Sequence, residues 1–126
     1  MASHTALGFR TEVDFTLPKG YVDAAGNLHR QGVMRLATAA DEILPLRDPR
    51  VQDNEAYLTV IVLARVIVKL GSLADIDTRT IEGLYASDLA YLQRLYEELN
   101  GPEEIDPPRA RADAATLRGM ATLGEA

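Results

Sequence analysis

The sequence contains no cysteine, which excludes a disulfide scaffold, a thiolate metal site and a cysteine nucleophile. It has no tryptophan, two phenylalanines and two histidines. His4 and His29 stand far apart, and no His-x-x-x-His or His-Glu pair occurs, so no transition-metal centre is expected. Basic residues are scarce: 13 Lys and Arg against 19 Asp and Glu give a formal charge of −6. No part of the chain is net basic, and residues 51–100 hold four basic against eight acidic groups. Arg30, Arg35, Arg47 and Arg50 are interleaved with acids, not clustered as counterion release from phosphates requires. Nucleic acid is therefore not an expected partner. Long apolar runs are also missing. The richest stretch, residues 57–70, is broken by Arg65 and Lys69 and falls short of the about 20 residues a span needs, so no membrane partner is expected. No apolar run begins near Met1, so no signal peptide is expected, and the expected location is the cytoplasm. Phosphate-binding glycine loops and Gly-x-Ser-x-Gly elbows are absent, and no cofactor is implied.

What is present fits one folded domain. The chain has 126 residues, 47% hydrophobic and 25% charged. From Glu12 to Leu17, apolar Val13, Phe15 and Leu17 alternate with polar residues, the period of a half-buried strand. Pro18 and Gly20 interrupt it, and Tyr21 and Val22 extend it. Residues 23–27 form a short loop, and residues 28–36 a second strand with Gly32 inside it, together a β-hairpin. Thr38 is a candidate N-cap for a short helix, with Asp41 three residues on and Pro45 as its stop.

Residues 51–70 are expected to form one helix, because strands rarely exceed about 8 residues. Gly71 suits its C-terminal cap. Residues 57–70 are apolar almost all round, which in a small domain implies that a second copy of the chain or a protein client covers the helix. A further helix spans 78–100, capped by Asp77 or Thr78 and stopped by Gly101-Pro102. At 100° per residue, its apolar residues from Ile81 to Leu99 occupy one sector roughly 160° wide.

Asp88 breaks that sector. Either the helix is interrupted at Ser87, leaving Asp88 in a new first turn where acids are favoured, or Asp88 pairs with Arg65 or Lys69. The neighbours Asp41-Glu42 and Glu97-Glu98 point in different directions on a helix, so they read as solvated surface and not as converging catalytic carboxylates. No catalytic residue is assigned. Five tyrosines against two phenylalanines suit a protein interface, and Tyr57, Ile61, Tyr85, Leu89 and Tyr96 are the candidate partner-binding residues.

The order of these pieces carries a resemblance. A strand ending Phe15-Thr16-Leu17-Pro18-Lys19-Gly20 leads to His29-Arg30-Gln31-Gly32-Val33-Met34-Arg35-Leu36, then to a helix opening Ala37-Thr38-Ala39-Ala40-Asp41-Glu42. Later come Lys69-Leu70-Gly71, then Ser87-Asp88-Leu89-Ala90-Tyr91-Leu92 and Leu99-Asn100-Gly101. Over residues 12–101 this resembles the Mu-like tail assembly chaperones of contractile-tailed phages and their relatives in contractile injection systems. Ala39 departs from the Thr-Gly step more usual in phage members, and residues beyond Gly101 lie outside the match. The resemblance implies a non-enzymatic chaperone that keeps the tape-measure protein, or tube subunits, soluble before the tail polymerises. Its tape-measure client is a long amphipathic helical protein, and the over-apolar helix over 51–70 with the tyrosine-bearing helix face would supply a groove for it. The competing reading is a minor structural subunit of the particle at baseplate, cap or adaptor. A regulatory or toxin-neutralising module is a further class, and an enzyme is disfavoured because no nucleophile–base or metal constellation occurs.

The expected architecture is α+β: an N-terminal β-hairpin followed by three to four helices over residues 12–101. A flexible leader (1–11) precedes it, and a largely extended or disordered tail (102–126) follows. Deleting residues 102–126 should leave the melting temperature within about 2 °C of the full chain, and a fall beyond about 5 °C would show that the tail packs on the domain.

Overall fold

A computed structural model describes residues 11–102. The expected leader and tail lie outside these residues, apart from Thr11 and Pro102. Two long strands, β1 (Glu12–Val22) and β2 (Leu28–Arg35), form the expected hairpin. They pair antiparallel, with Glu12 opposite Arg35, Phe15 opposite Gly32 and Val22 opposite Leu28. Alternation is kept: Phe15, Leu17 and Met34 are buried on one face, while Asp14, Thr16 and Gln31 face solvent on the other. In the loop, Gly26 takes φ +90°, and one carboxylate oxygen of Asp23 accepts the N–H groups of Ala25 and Asn27, each at 2.9 Å.

The register slips between Thr16 and Tyr21, where Pro18 supplies no donor and Gly20 takes φ +105°. Side chains satisfy the backbone groups freed there. Arg30 donates to the carbonyls of Leu17 (2.9 Å) and Pro18 (3.3 Å). Asp88 accepts the N–H groups of Lys19 (2.9 Å) and Gly20 (2.7 Å).

After the hairpin come α1 (Ala39–Ile43), a 3-10 turn over Leu44–Arg47, and α2 (Pro49–Asp53), whose cap Asp48 accepts the Arg50 N–H at 2.9 Å. The expected single helix over 51–70 is corrected in two ways. The chain leaves helical hydrogen bonding after Asp53, so α3 begins at Tyr57 and ends at Val66. Residues Ile67–Leu70 are then a third strand, β3, antiparallel to β2 in the order β1-β2-β3. The physical reason is the free edge of β2, which offers hydrogen-bond partners to a β-branched segment. Gly71 does need positive φ (+56°), but it ends a strand, not a helix. A Cβ there would stand 2.1 Å from His29 Nδ1.

The expected helix over 78–100 is likewise two: α4 (Thr78–Glu82) and α5 (Ala86–Asn100). Asp77 caps α4 by accepting the Thr80 N–H at 3.1 Å. Among residues 11–102 there are thus five α-helices, three of them of only five residues, and a 3-10 turn where three to four helices were expected. The class remains α+β.

Helices α3 and α5 cover the inner face of the sheet. Leu63 and Val66 of α3 and Leu92 of α5 meet Phe15, Leu17 and Met34 in one core, and the Phe15 ring packs edge-on to Tyr91 at 6.5 Å. Gly32 makes that packing feasible: a Cβ would lie 2.3 Å from the Phe15 ring and 2.6 Å from the Lys69 carbonyl oxygen. Gly32→Ala should therefore cost about 1–3 kcal/mol and lower the melting temperature by about 5–15 °C. A shift under about 2 °C would show that the Phe15 ring and β3 yield freely.

Candidate partner-binding groove

One carboxylate organises the end of the molecule where the groove lies. Asp41, in the first turn of α1, is only 2% exposed. It accepts the Thr38 N–H at 2.8 Å and the Thr38 hydroxyl at 3.2 Å. Arg35 donates to both of its oxygens, at 2.8 and 3.1 Å, and Arg65 donates at 2.9 Å. Arg35 also donates to the Arg65 carbonyl at 2.9 Å, one of the last-turn acceptors of α3 that lack an intrahelical partner. The reading of Asp41 as solvated helix surface is corrected: it is a buried hub that joins β2, α1 and α3. Glu42, Glu97 and Glu98 are exposed. The Arg35 guanidinium first, then the Thr38 N–H and Arg65, hold the Asp41 carboxyl well below the usual carboxylate range despite its burial.

Beside this hub, α3 and α5 leave a cleft of about 440 Å³ between them. Leu58, Thr59, Val62 and Leu63 of α3 form one side, Gln93, Tyr96 and Glu97 of α5 another, and Glu42 and Leu46 complete the lining. The Tyr96 phenol donates to Glu42, and burial first, then Glu42, raises its pKa. The hydroxyl therefore stays a donor tied to α1. Ile43, Leu44 and Leu46, 45–56% exposed, surround the buried Pro45 and carry apolar surface past the cleft. The arrangement suits docking of apolar side chains, with Thr59 and Gln93 as hydrogen-bonding groups along the walls.

The five residues singled out from sequence do not share one face. Tyr96 lines the cleft. Ile61 is 8% exposed, in the core of α3. Leu89 is half-buried and packs on the core. Tyr57 sits under Arg50, 5.0 Å from its guanidinium carbon, and its hydroxyl bonds Glu82 of α4. Tyr85 is 54% exposed, at the start of α5. Sequence reasoning missed Leu46, Leu58, Val62 and Gln93. The usable signal was the i, i+4 pairing of Leu58 with Val62 on a helix already too apolar for one buried face.

Asp88 is fully buried. It lies in the first turn of α5, as one of the two readings had it, but the break comes earlier and Tyr85, not Ser87, occupies the cap position. The pairing with Arg65 or Lys69 is corrected: Arg65 serves Asp41, and Asp88 serves the backbone of β1. His29 bridges the hairpin loop and the turn that follows β3: Nε2 lies 2.8 Å from Asp23, and Nδ1 accepts the Ser72 N–H at 3.2 Å. That acceptance places the ring proton on Nε2, which donates to Asp23. The contact with His29 leads the interactions that lower the Asp23 pKa to about 2.

Among the described residues no group of three or more His, Cys, Asp or Glu side chains is placed to hold a metal ion, and no helix is long and apolar enough to cross a membrane. Comparison with protein-family models, curated proteins and solved structures gives no match.

Because the folded-state pKa of Asp41 is depressed, its stabilisation is fully present above the unfolded value of 3.8 and is lost as pH falls through the lower folded value. Asp41→Asn is expected to cost about 2–3 kcal/mol at pH 7, with the gap to the parent chain closing below about pH 4. Urea unfolding at neutral and acid pH measures this, and a gap of constant size would place the loss in packing, not in the ion pairs.

Proposed function

We propose that this chain is a non-enzymatic tail assembly protein of a contractile phage tail or contractile injection system. It acts as a chaperone that holds the tape-measure protein, or tube subunits, before polymerisation. The observation that carries this reading is the open apolar cleft between α3 and α5, continued by exposed Ile43, Leu44 and Leu46. A cleft walled by two helices suits helix-in-groove capture, and an amphipathic tape measure offers such a helix. The order of motifs from Phe15-Thr16-Leu17-Pro18 to Leu99-Asn100-Gly101 supports the same assignment.

The alternative, a minor structural subunit, has one observation in its favour: β1 is an edge strand of 11 residues, open to strand addition. Its usable edge is shortened, because Pro18 lacks a donor and the Lys19 and Gly20 N–H groups are taken by Asp88.

Co-expression with the tape-measure protein of the same tail cluster tests the proposal. The tape measure should be captured by the parent chain, and Leu58→Glu, at a half-buried wall position, should reduce recovery about tenfold while leaving the fold intact. Mass spectrometry of purified particles should not find the chain. A fixed copy number in particles would establish the structural-subunit reading instead.

A further inference from the structure

We propose that the cleft takes a single amphipathic helix whose apolar stripe is flanked by Lys or Arg, and that Glu42 and Glu97 select for those flanking cations. The inference rests on the helix-client reading and adds the client's charge pattern to it.

Three observations lead there. The floor is apolar: Leu58, Val62 and the Tyr96 ring present carbon surface. The charged residues of the lining are both acids, Glu42 and Glu97, with no Lys or Arg among the lining residues. Both acids are exposed and come from different helices, Glu42 from α1 and Glu97 from α5. Neither has an ion-pair partner among the salt bridges of the described residues. Glu42 does accept the Tyr96 hydroxyl, which orients its carboxylate at the cleft without neutralising it. The contrast within α1 is direct, since Asp41, one residue earlier, is neutralised by two arginines.

An apolar floor with unneutralised acids beside it discriminates between helices by charge. A helix with cationic flanks gains two charge contacts at the edge of a low-dielectric cleft, whereas one with acidic flanks meets two repulsions. A volume of about 440 Å³ seats a few apolar side chains and not a whole helix, so the client's axis lies along the opening. Flanking side chains then run outward past the rim, where Glu42 and Glu97 stand. A second copy of this chain fits less well, because its described residues carry 14 Asp and Glu against nine Lys and Arg, an excess of the same sign as the rim.

The test uses the full chain, isotopically labelled, and two synthetic helices of about 18 residues with an identical Leu/Ala stripe. One is flanked by Lys and the other by Glu. The Lys helix should shift amide resonances of α3 and α5 around the cleft and bind about tenfold more tightly than the Glu helix. Glu42→Gln/Glu97→Gln should abolish the preference, and Glu42→Lys/Glu97→Lys should reverse it. Both positions are exposed, and unchanged melting confirms the fold. Salt should weaken the preference more than the binding. Equal affinity for both helices, shifts away from the cleft, a preference surviving Glu42→Gln/Glu97→Gln, or a dimer in sedimentation that shields the cleft would each overturn the proposal. Tape-measure capture without charge preference would sink this inference alone. A charge-selective cleft without tape-measure capture would instead sink the chaperone reading.

Discussion

The Asp41 carboxylate, with donors converging on it from β2, α1 and α3, is the contact on which the arrangement around the cleft depends. Removing a carboxylate from water is costly, and a buried ion pair offsets that cost only when its remaining lone pairs are satisfied. Here they are, by two guanidinium groups, a backbone N–H and a hydroxyl. The arginines themselves stay 32% and 37% exposed, so their own desolvation is modest. The geometry has a positional consequence. It fixes α1 against the end of β2 and the last turn of α3, and so puts Glu42 beside Tyr96 at the cleft.

A second buried carboxylate does the complementary task on the other wall. A strand that runs through Pro18 leaves backbone groups that the ladder cannot pair. Asp88 takes two N–H groups and Arg30 two carbonyls, so the irregular stretch of β1 leaves those groups paired. Because Asp88 sits in the first turn of α5, this backbone repair also anchors the helix to the sheet. The other end of α5 is tied by Asn100, whose side chain accepts the Ala37 N–H at 2.8 Å and donates to the Tyr96 carbonyl at 3.0 Å. The position of α5 relative to α1 thus follows from polar contacts at its two ends.

These contacts explain what could be read in advance. The alternation of Val13, Phe15 and Leu17, the loop at 23–27, the Thr38 start of α1 and the apolar sector of α5 are local patterns, and local patterns were legible. The division of residues 57–70 was not, because Val-Ile-rich sequence suits a helix and an edge strand equally, and only the free side of β2 decides between them. Asp41 and Glu42 are adjacent and chemically alike, yet one is buried and the other rims the cleft. Their partners Arg35, Arg65 and Tyr96 come from elsewhere in the chain, so tertiary placement alone separates them. Asp88 was recognisable as anomalous from its helical position. Its partners were invisible because they are backbone groups, which carry no sequence signature. A groove between the over-apolar segment and the tyrosine-bearing helix was legible, but of its lining only Tyr96 was among the candidate residues, because which side chains border a cleft depends on how two helices are held apart.

That separation accounts for the excess apolar surface of α3. One side of the helix, through Leu63 and Val66, covers the sheet. The side carrying Leu58 and Thr59 has no equivalent partner among the described residues and becomes the wall of the cleft. A domain this small has little further surface with which to cover it. Leaving it open invites nonspecific association, which acidic groups at the rim and a net negative surface oppose. The same charges that keep an uncovered cleft from sticking to other acidic surfaces favour a cationic-flanked helix within it. Solubility of the empty state and selectivity of the filled state are therefore two effects of one charge arrangement, and substitutions at Glu42 and Glu97 should change both together.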